Sequence, residues 1–344
     1  MKIEIIGCSD RTAWNDVIAH AFQYDYYHCN SYNHLDQMGI PFLFVASDAS
    51  DFIALPLVKR EIEKTTYFDC TSVWGYPGPV ASKRPWEIEP TLINYFQESL
   101  NQYMHDERIV SVFSRMHPII PQDSFFNNLG TITALNKTVA IDLKLPVELQ
   151  RQQYRSSNKS EINQLRKKGY TVKKAETEEE ISAFYDIYIE TMTRVNASSF
   201  YFDSFDLEYF RKLLNLEDAK PALLIAIKDD KIIAGGVFIA TRNFMQYHVA
   251  GTREEYIKAA PMKLIIDEAR LMANQLRLEY LHLGGGVNGS DSDSLFRFKA
   301  GFSDKTFTYR TWKWVVDKEI YEHMANAKSK EKVLNESFFP LYRV

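Results

Sequence analysis

The segment His282–Phe302 reads HLGGGVNGSDSDSLFRFKAGF and is the most informative stretch of the chain. Three consecutive glycines, Gly284, Gly285 and Gly286, follow an apolar run that predicts a β-strand. Glycine permits positive φ angles and close approach by another backbone or by a ligand. The glycines therefore indicate either a ligand-facing loop where strands splay apart, or a sharp turn that lets the following helix pack.

The rest of the second half predicts alternating helices and strands. One long helix is expected over 147–169 and is closed by Gly169 at the C-cap position. Thr177 with Glu180 has the spacing of a capping box and opens the next helix. Three antiparallel strands follow within 222–252. A helix with Pro261 near its first turn, the strand before the glycines, a short helix and a last strand complete the pattern.

The first half predicts a similar but looser order of strands and helices. The two halves share no obvious sequence repeat, so the duplication is inferred from element order alone. This order predicts an α+β fold with mixed sheets flanked by helices. We expect two domains, 1–145 and 146–344, with the glycine-rich segment in the second.

Composition excludes several classes of protein. The chain has 344 residues, of which 45% are hydrophobic and 25% charged, as in ordinary globular proteins. A net charge of -4 argues against packaging of nucleic acid, and we expect no DNA partner. The 3 cysteines are far apart, which predicts no disulfide framework, no metal site and a cytoplasmic location. Neither a transmembrane run nor a signal peptide is predicted.

The element order, together with TVAIDL, YIETMTR, YHVAGT and LHLGGG…DSLFRFKAGF, resembles the FemAB (FemABX) family. The resemblance implies two tandem GNAT-like domains, that is, the acyl-CoA N-acyltransferase fold, in the compact FemX-like form. It also implies an aminoacyltransferase that moves an amino acid from aminoacyl-tRNA to an amine of a peptidoglycan precursor. Two departures concern the acceptor. The segment Cys29–Gly39 lacks the family's lysine, and WGYPGP replaces PRGP at 74–79.

The resemblance also indicates site residues in the second half. Lys299 would be a catalytic cation near the donor ester or a phosphate, rather than a solvated helix lysine, and Phe298 would wall the same site or belong to the core. Asp293, with Asp291 beside it, could accept a proton, orient the amine or cap the short helix.

Two further residues of the second half are candidates for binding. Arg194 matches the region where the family holds acceptor phosphates, and its alternative role is to serve a helix C-terminus. Tyr201 lies nearby and is expected to contact substrate.

Four residues of the first half are candidate substrate contacts. Arg115 and His117 alternate at the end of a predicted strand, which places them on one face. Trp74 and Tyr76 lie on a Gly/Pro-rich loop and suit stacking on a sugar or base, although a packed loop is equally consistent.

His248, in the second half, lies in a predicted central strand and is expected in the core.

The choice of acyl donor depends on two further segments. Arg151–Lys174 carries eight lysines and arginines against one glutamate, and could hold the phosphates of tRNA or of coenzyme A. Acetyl-CoA-dependent relatives need a glycine-rich pyrophosphate loop, and REEYIKAAPMKLI at the matching position has none. We therefore expect no tightly bound cofactor and aminoacyl-tRNA as donor. The alternatives are an acyl-CoA-dependent N-acyltransferase acting on an amino sugar, or a non-catalytic binding module that kept the fold.

Overall fold

The protein is described here from a computed structural model, which describes residues 1–35, 38–287, 292–329 and 338–343. Its strands are β1 Lys2–Gly7, β2 Ile40–Ser47, β3 Phe52–Glu61, β4 Phe68–Thr71, β5 Val80–Ala81, β6 Ile109–Met116, β7 Thr131–Asp142, β8 Thr171–Lys174, β9 Lys220–Lys228, β10 Lys231–Ala240, β11 Phe244–Thr252, β12 Tyr280–Gly284 and β13 Thr306–Val315. Its helices are α1 Arg11–Ala19, α2 Asn30–Asn33, α3 Pro90–Asp106, α4 Val147–Gln152, α5 Ser156–Lys167, α6 Glu178–Arg194, α7 Ser199–Asp203, α8 Leu207–Leu214, α9 Met262–Gln275, α10 Ser294–Lys299 and α11 Lys318–Ser329. Within these ranges, no helix is long and apolar enough to cross a membrane.

The chain forms two compact units. The first unit combines Met1–Leu135 with Thr308–Val344, and the second unit is Asn136–Phe307. This division differs from our predicted boundary after residue 145, which assigned the C-terminal strand to the second domain. The reason is strand pairing: β13 pairs antiparallel with β6, from Arg310 opposite Met116 to Val315 opposite Ser111.

The C-terminal segment is anchored within the first unit by a buried carboxylate. Asp69 is fully buried and accepts hydrogen bonds from the Arg343 guanidinium at 2.5 and 3.1 Å and from the Tyr342 hydroxyl at 3.2 Å. The Tyr342 hydroxyl also lies 2.7 Å from the Ser111 hydroxyl. A buried carboxylate is costly without such partners, so these bonds tie residues 341–343 to β4 and β6.

The first unit has a mixed sheet in the order β1-β2-β3-β4-β6-β13, and β5 pairs with β3. The predicted hairpin of β2 and β3 is confirmed, with Ser47 opposite Phe52 at its turn. The predicted amphipathic helix is α3, and every fourth residue is buried in the apolar core: Leu92, Phe96, Leu100 and Met104. The periodicity of four predicts this stripe because such residues share one helix face.

The second unit has a mixed sheet in the order β7-β12-β11-β10-β9-β8. Two adjacent glycines of β10 show how it is covered. A Cβ on Gly235 would meet Phe184 of α6, and a Cβ on Gly236 would meet Met262 of α9. Since neighbouring strand residues point to opposite faces, α6 and α9 cover the two faces of this sheet. The predicted capping box that opens α6 is confirmed.

The single helix predicted over 147–169 is wrong, because the structure has two helices, α4 and α5, with a break between them. At the break Tyr154 is 2% exposed, and its hydroxyl donates to the Asp267 carboxylate at 3.2 Å. The Arg155 N–H donates to the Gly301 carbonyl at 2.9 Å instead of continuing a helix. These partners are distant in sequence, so local periodicity could not reveal the break.

Candidate functional site

In the second unit, β11 and β12 diverge. They pair in parallel over three positions, from Phe244 opposite Tyr280 to Gln246 opposite His282. β11 then continues to Thr252 without β12 beside it. On its other side β11 bulges at His248, since Tyr247 pairs with Phe238 and Val249 with Val237. Bulges and strand ends release backbone groups from the ladder, which suits the binding of a ligand carbonyl.

Backbone conformation explains the first of the three glycines at the end of β12, and close packing explains the other two. Gly284 has φ +75°, in the left-handed region that favours glycine. A Cβ on Gly285 would lie 3.0 Å from the Lys137 carbonyl, and a Cβ on Gly286 would overlap the Asp293 carboxylate. The glycines thus allow the chain that follows β12 to pack closely against β7 and against the start of α10.

Asp293 is the N-cap of α10. Its Oδ1 accepts the Phe296 N–H at 2.9 Å, and its Oδ2 accepts the Val287 N–H at 3.2 Å. Both oxygens therefore hold backbone, which supports the capping alternative over a role as proton acceptor. Asp293 ties the loop after β12 to α10 and so positions the residues of that helix. Asp291 lies outside the described residues.

Lys299 ends α10 between the two splayed strands. The residue is only 7% exposed, and its ammonium donates to the Gly285 carbonyl at 2.7 Å. The same nitrogen lies 5.5 Å from the ring centroid of Tyr247, the first residue of β11 beyond the parallel pairing. Burial lowers the pKa of Lys299 from 10.5 to about 7, although the charge of Asp293 works in the opposite direction. Both protonation states are therefore populated near neutral pH.

Phe298 has a structural environment. Its ring packs edge-to-face against Phe302 with centroids 5.7 Å apart, and it lies against the apolar core of the second unit. Of the two alternatives for this residue, the structure favours core packing.

The bulge carries two residues that sequence reasoning undervalued. The sequence pattern did not single out Tyr247. Burial raises the pKa of Tyr247 well above the usual range, so its hydroxyl stays protonated. His248 is half-buried, and its Nε2 lies 2.9 Å from the Tyr209 hydroxyl. Burial lowers the pKa of His248 to about 4, which leaves the imidazole neutral near pH 7. In the sequence, the two adjacent ring residues of YHVAG are the only indication of this feature. That they lie where β11 separates from β12 is known only from the pairing of the strands.

Arg194 and Tyr201 lie on the side of the sheet covered by α6. Arg194 donates to the Thr252 carbonyl at 3.1 Å and to the Thr191 hydroxyl at 3.4 Å, and so joins the end of α6 to the end of β11. The Tyr201 ring packs 6.0 Å from that of Phe205. These described contacts are with the protein itself, and a role of either residue in substrate binding stays a prediction.

In the first unit, the structure brings Trp74, Tyr76 and Arg115 together. The Arg115 guanidinium lies 4.9 Å from the Trp74 ring centroid and 5.2 Å from that of Phe113. Tyr309 of β13, which the sequence did not single out, packs edge-to-face on Tyr76 with ring centroids 5.3 Å apart, and its hydroxyl is near enough for the Arg115 charge to lower its pKa against the larger effect of burial. β13 is far from 74–79 in sequence, so only the fold reveals this group.

His117 lies two residues after Arg115 and is buried in the first unit. The residue is 3% exposed, its Nδ1 accepts the Ile119 and Ile120 N–H groups at 3.2 and 3.0 Å, and its Nε2 lies 3.0 Å from the Asp25 carboxylate. A ring engaged at both nitrogens inside the core is a structural histidine. Our interpretation of His117 as a substrate contact on the same face as Arg115 finds no support in these bonds.

Comparisons with known proteins agree with this architecture. Residues 152–299 match the family described as "Acetyltransferase (GNAT) domain". No curated protein has a matching sequence. The crystal structure of FemX is similar, with a TM-score of 0.72 and 12% identity over 94% of this chain and 99% of that chain.

Two other solved structures are similar at lower scores. The C-terminal domain (DUF2156) of a putative lysylphosphatidylglycerol synthetase from Agrobacterium fabrum has a TM-score of 0.57 and 13% identity, over 94% of this chain and 96% of that chain. L-PGS from Bacillus licheniformis has a TM-score of 0.56 and 11% identity, over 93% and 96%. The predicted α+β class and the resemblance to the FemAB family are thus confirmed at the level of fold: the chain has a FemX-like fold with a GNAT domain at residues 152–299.

Proposed function

We propose that the protein is an N-acyltransferase that transfers an aminoacyl group from aminoacyl-tRNA to an amine of a peptidoglycan-like cell-envelope precursor. The observation that carries the proposal is the position of Lys299, buried between the splayed strands and bonded to the Gly285 carbonyl at 2.7 Å. A buried amine at a strand opening of a GNAT domain is costly for stability, which favours a chemical role.

Acyl transfer to an amine needs stabilisation of a developing oxyanion and a route for the proton that the amine loses. Protonated Lys299 supplies a positive charge for the oxyanion, and neutral Lys299 can accept the proton. A pKa of about 7 makes both forms accessible at neutral pH. The Tyr247 ring lies 5.5 Å from the Lys299 nitrogen and favours the charged form through a cation–π contact.

The segment between β11 and α9 supports a donor other than coenzyme A. A pyrophosphate would need unoccupied N–H groups at the start of α9. Instead, a 3₁₀ turn spans Glu254–Ala259, and the Glu190 carboxylate accepts the Glu254 N–H at 2.6 Å. Hydrogen bonding to that N–H keeps the pKa of Glu190 low, so the carboxylate is charged there. Pro261 at the N-cap of α9 removes a further donor.

The basic segment Arg151–Lys174 is partly neutralised by its own unit. Arg166 donates to the carboxylates of Asp267 and Glu268 at 2.9 and 2.6 Å. The exposed lysines that remain available to an RNA backbone include Lys167, Lys168 and Lys174. The similarity of fold to the C-terminal domain of a putative lysylphosphatidylglycerol synthetase also supports an aminoacyl donor.

The experiment supplies charged tRNAs and, separately, a panel of acyl-CoA thioesters, each with peptide amines and amino sugars as acceptors. We expect transfer from charged tRNA to a peptide amine, lost in Lys299→Met and kept in Lys231→Met, which removes an exposed lysine at the start of β10. Transfer only from acyl-CoA to an amino sugar would replace our donor and acceptor by the alternative enzyme. No transfer from either donor would leave the binding-module alternative.

A further inference from the structure

We propose that the first unit binds a carboxylate at Arg115, on a surface formed with Trp74, Tyr76 and Tyr309, which we call the Arg115 site. This rests on the proposed function in one respect only, namely that the carboxylate belongs to the amine acceptor. The evidence for the site itself is the stacking, the charge and the rigidity of the residues that form it.

Stacking determines which donors of Arg115 face a ligand. Its guanidinium lies 4.9 Å from the Trp74 ring centroid and 5.2 Å from that of Phe113. Contacts with ring faces engage the flat surface of a guanidinium, whereas its N–H donors point outward in the plane. The Tyr309 hydroxyl is near enough for the Arg115 charge to act on its pKa, and it could take up part of these donors. Five N–H donors exceed what one hydroxyl can accept, so donors remain for a ligand.

Most of the partly or fully buried arginines of the described residues are ion-paired, whereas Arg115, like Arg194, is not. Arg60 bonds Asp69 at 2.8 Å, Arg253 bonds Glu190 at 3.0 Å and Arg270 bonds Asp267 at 3.1 Å. Arg115 is half-buried, yet over the part of the chain that the structure describes it forms no ion pair. A half-buried cation without a carboxylate is a position where an anionic ligand gains more than it would on an open surface.

The loop that carries Trp74 and Tyr76 is held in place before any ligand arrives. Gly75 has φ +126° and packs directly on the Tyr27 ring. His28 Nε2 lies 2.7 Å from the Pro77 carbonyl, and the Gln122 amide donates to the Pro77 and Pro79 carbonyls at 2.9 and 2.8 Å. The His117 N–H in turn donates to Gln122 Oε1 at 2.7 Å. A loop fixed in this way loses little entropy on binding.

The number of charges favours a carboxylate over a phosphate. Two cations of β13 lie near this position. Arg310 is opposite Met116, on the other face of the sheet from Arg115, and its guanidinium lies 3.4 Å from the Asp123 carboxylate. Lys313 is opposite Phe113, on the same face as Arg115, and its ammonium lies over the Phe339 ring, 5.7 Å from the centroid. A single guanidinium matches one planar monoanion, and a phosphate dianion would require a second cation. Burial raises the pKa of Tyr309, so its hydroxyl stays protonated and can donate to the second carboxylate oxygen.

The test is direct binding, observed through the Arg115 Nε–H signal in NMR, which is assigned by its disappearance in Arg115→Lys. The probes are N-acetyl-alanyl-alanine, its C-terminal amide and inorganic phosphate. We expect a saturable shift with the acid and none with the amide. Arg115→Lys keeps the charge but loses the fork, and Trp fluorescence should show affinity for the acid falling about ten- to a hundred-fold. Arg310→Lys is the matched control and should leave affinity unchanged.

Three results would overturn the assignment: an equal response to acid and amide, an unchanged affinity in Arg115→Lys, or tighter binding of phosphate than of the acid. Thermal unfolding of each variant shows whether it is folded. Carboxylate binding together with failure of the acyl-transfer assay would refute the proposed function and keep the Arg115 site. Transfer without carboxylate binding would do the reverse.

Discussion

Replacing Lys299 by methionine is expected to stabilise the second unit near neutral pH. Burial lowers the pKa of this lysine from 10.5 to about 7, and one pKa unit corresponds to about 1.4 kcal/mol. The protonated lysine therefore costs the folded state at most about 5 kcal/mol at pH 7 and below. Methionine has similar length and no charge. Loss of the hydrogen bond to the Gly285 carbonyl lowers the expected stabilisation of the methionine variant by about 1 kcal/mol.

The expected pH dependence follows from proton binding. In the unfolded chain Lys299 keeps its proton up to about pH 10.5, whereas the folded protein releases it near pH 7. Between these values the unfolded state binds more protons, so the free energy of unfolding of the native protein rises with pH, by at most about 1.4 kcal/mol per unit. The methionine variant lacks this rise, so its advantage is full below pH 7 and shrinks towards pH 10.5.

The assay is urea unfolding of native protein and Lys299→Met at pH 6, 7, 8 and 9, with Lys231→Met as control for the loss of one positive charge. The difference in unfolding free energy between the native protein and Lys299→Met should narrow as pH rises above 7. A difference that stays constant over this range would refute the reasoning, because it would mean that Lys299 titrates alike in both states. We expect Lys299→Met to be more stable and inactive, a trade that is common for catalytic groups.

Substitutions at three other positions test the residues that support the two sites. Asp293→Ala removes the cap of α10 and should cost about 1 kcal/mol in urea unfolding, whereas Asp293→Asn, which can still cap, should cost less. Gly286→Ala should lower transfer activity by displacing Asp293, with the variant still folded by circular dichroism; full activity would contradict the packing role. His117→Ala leaves the buried Asp25 carboxylate without its histidine and should cost roughly 3–5 kcal/mol in thermal unfolding; His20→Ala, at an exposed position, is its control.

Much of the fold was predictable because its signals are local. The capping box at Thr177, the four-residue stripe of α3 and the hairpin turn before Phe52 each depend on neighbouring residues. The boundary of the units was not predictable in this way. It depends on β13 pairing with β6, a contact between residues about 200 positions apart whose register no local pattern encodes.

The residues of the candidate site also fall into those that a local sequence pattern indicates and those that only distant contacts reveal. Lys299 could be selected because it lies in a recognisable motif, and the glycines beside it because three in a row are rare. Tyr247 and Tyr309 could not be selected, since their relevance arises only when β11 splays from β12 and when β13 lies next to Arg115. His117 shows the opposite error: alternation placed it beside Arg115, but Asp25, from a distant turn, engages its ring in the core.

The anchoring of residues 341–343 on Asp69 has a consequence for how the chain is made. The second unit is one continuous segment and can fold as soon as it has left the ribosome. The first unit, although synthesised first, lacks a sheet strand and the partners of a buried carboxylate until β13 and Arg343 emerge. The first unit is therefore completed after the second, and in a growing chain the edge of β6 that pairs with β13 stays without that partner until β13 emerges.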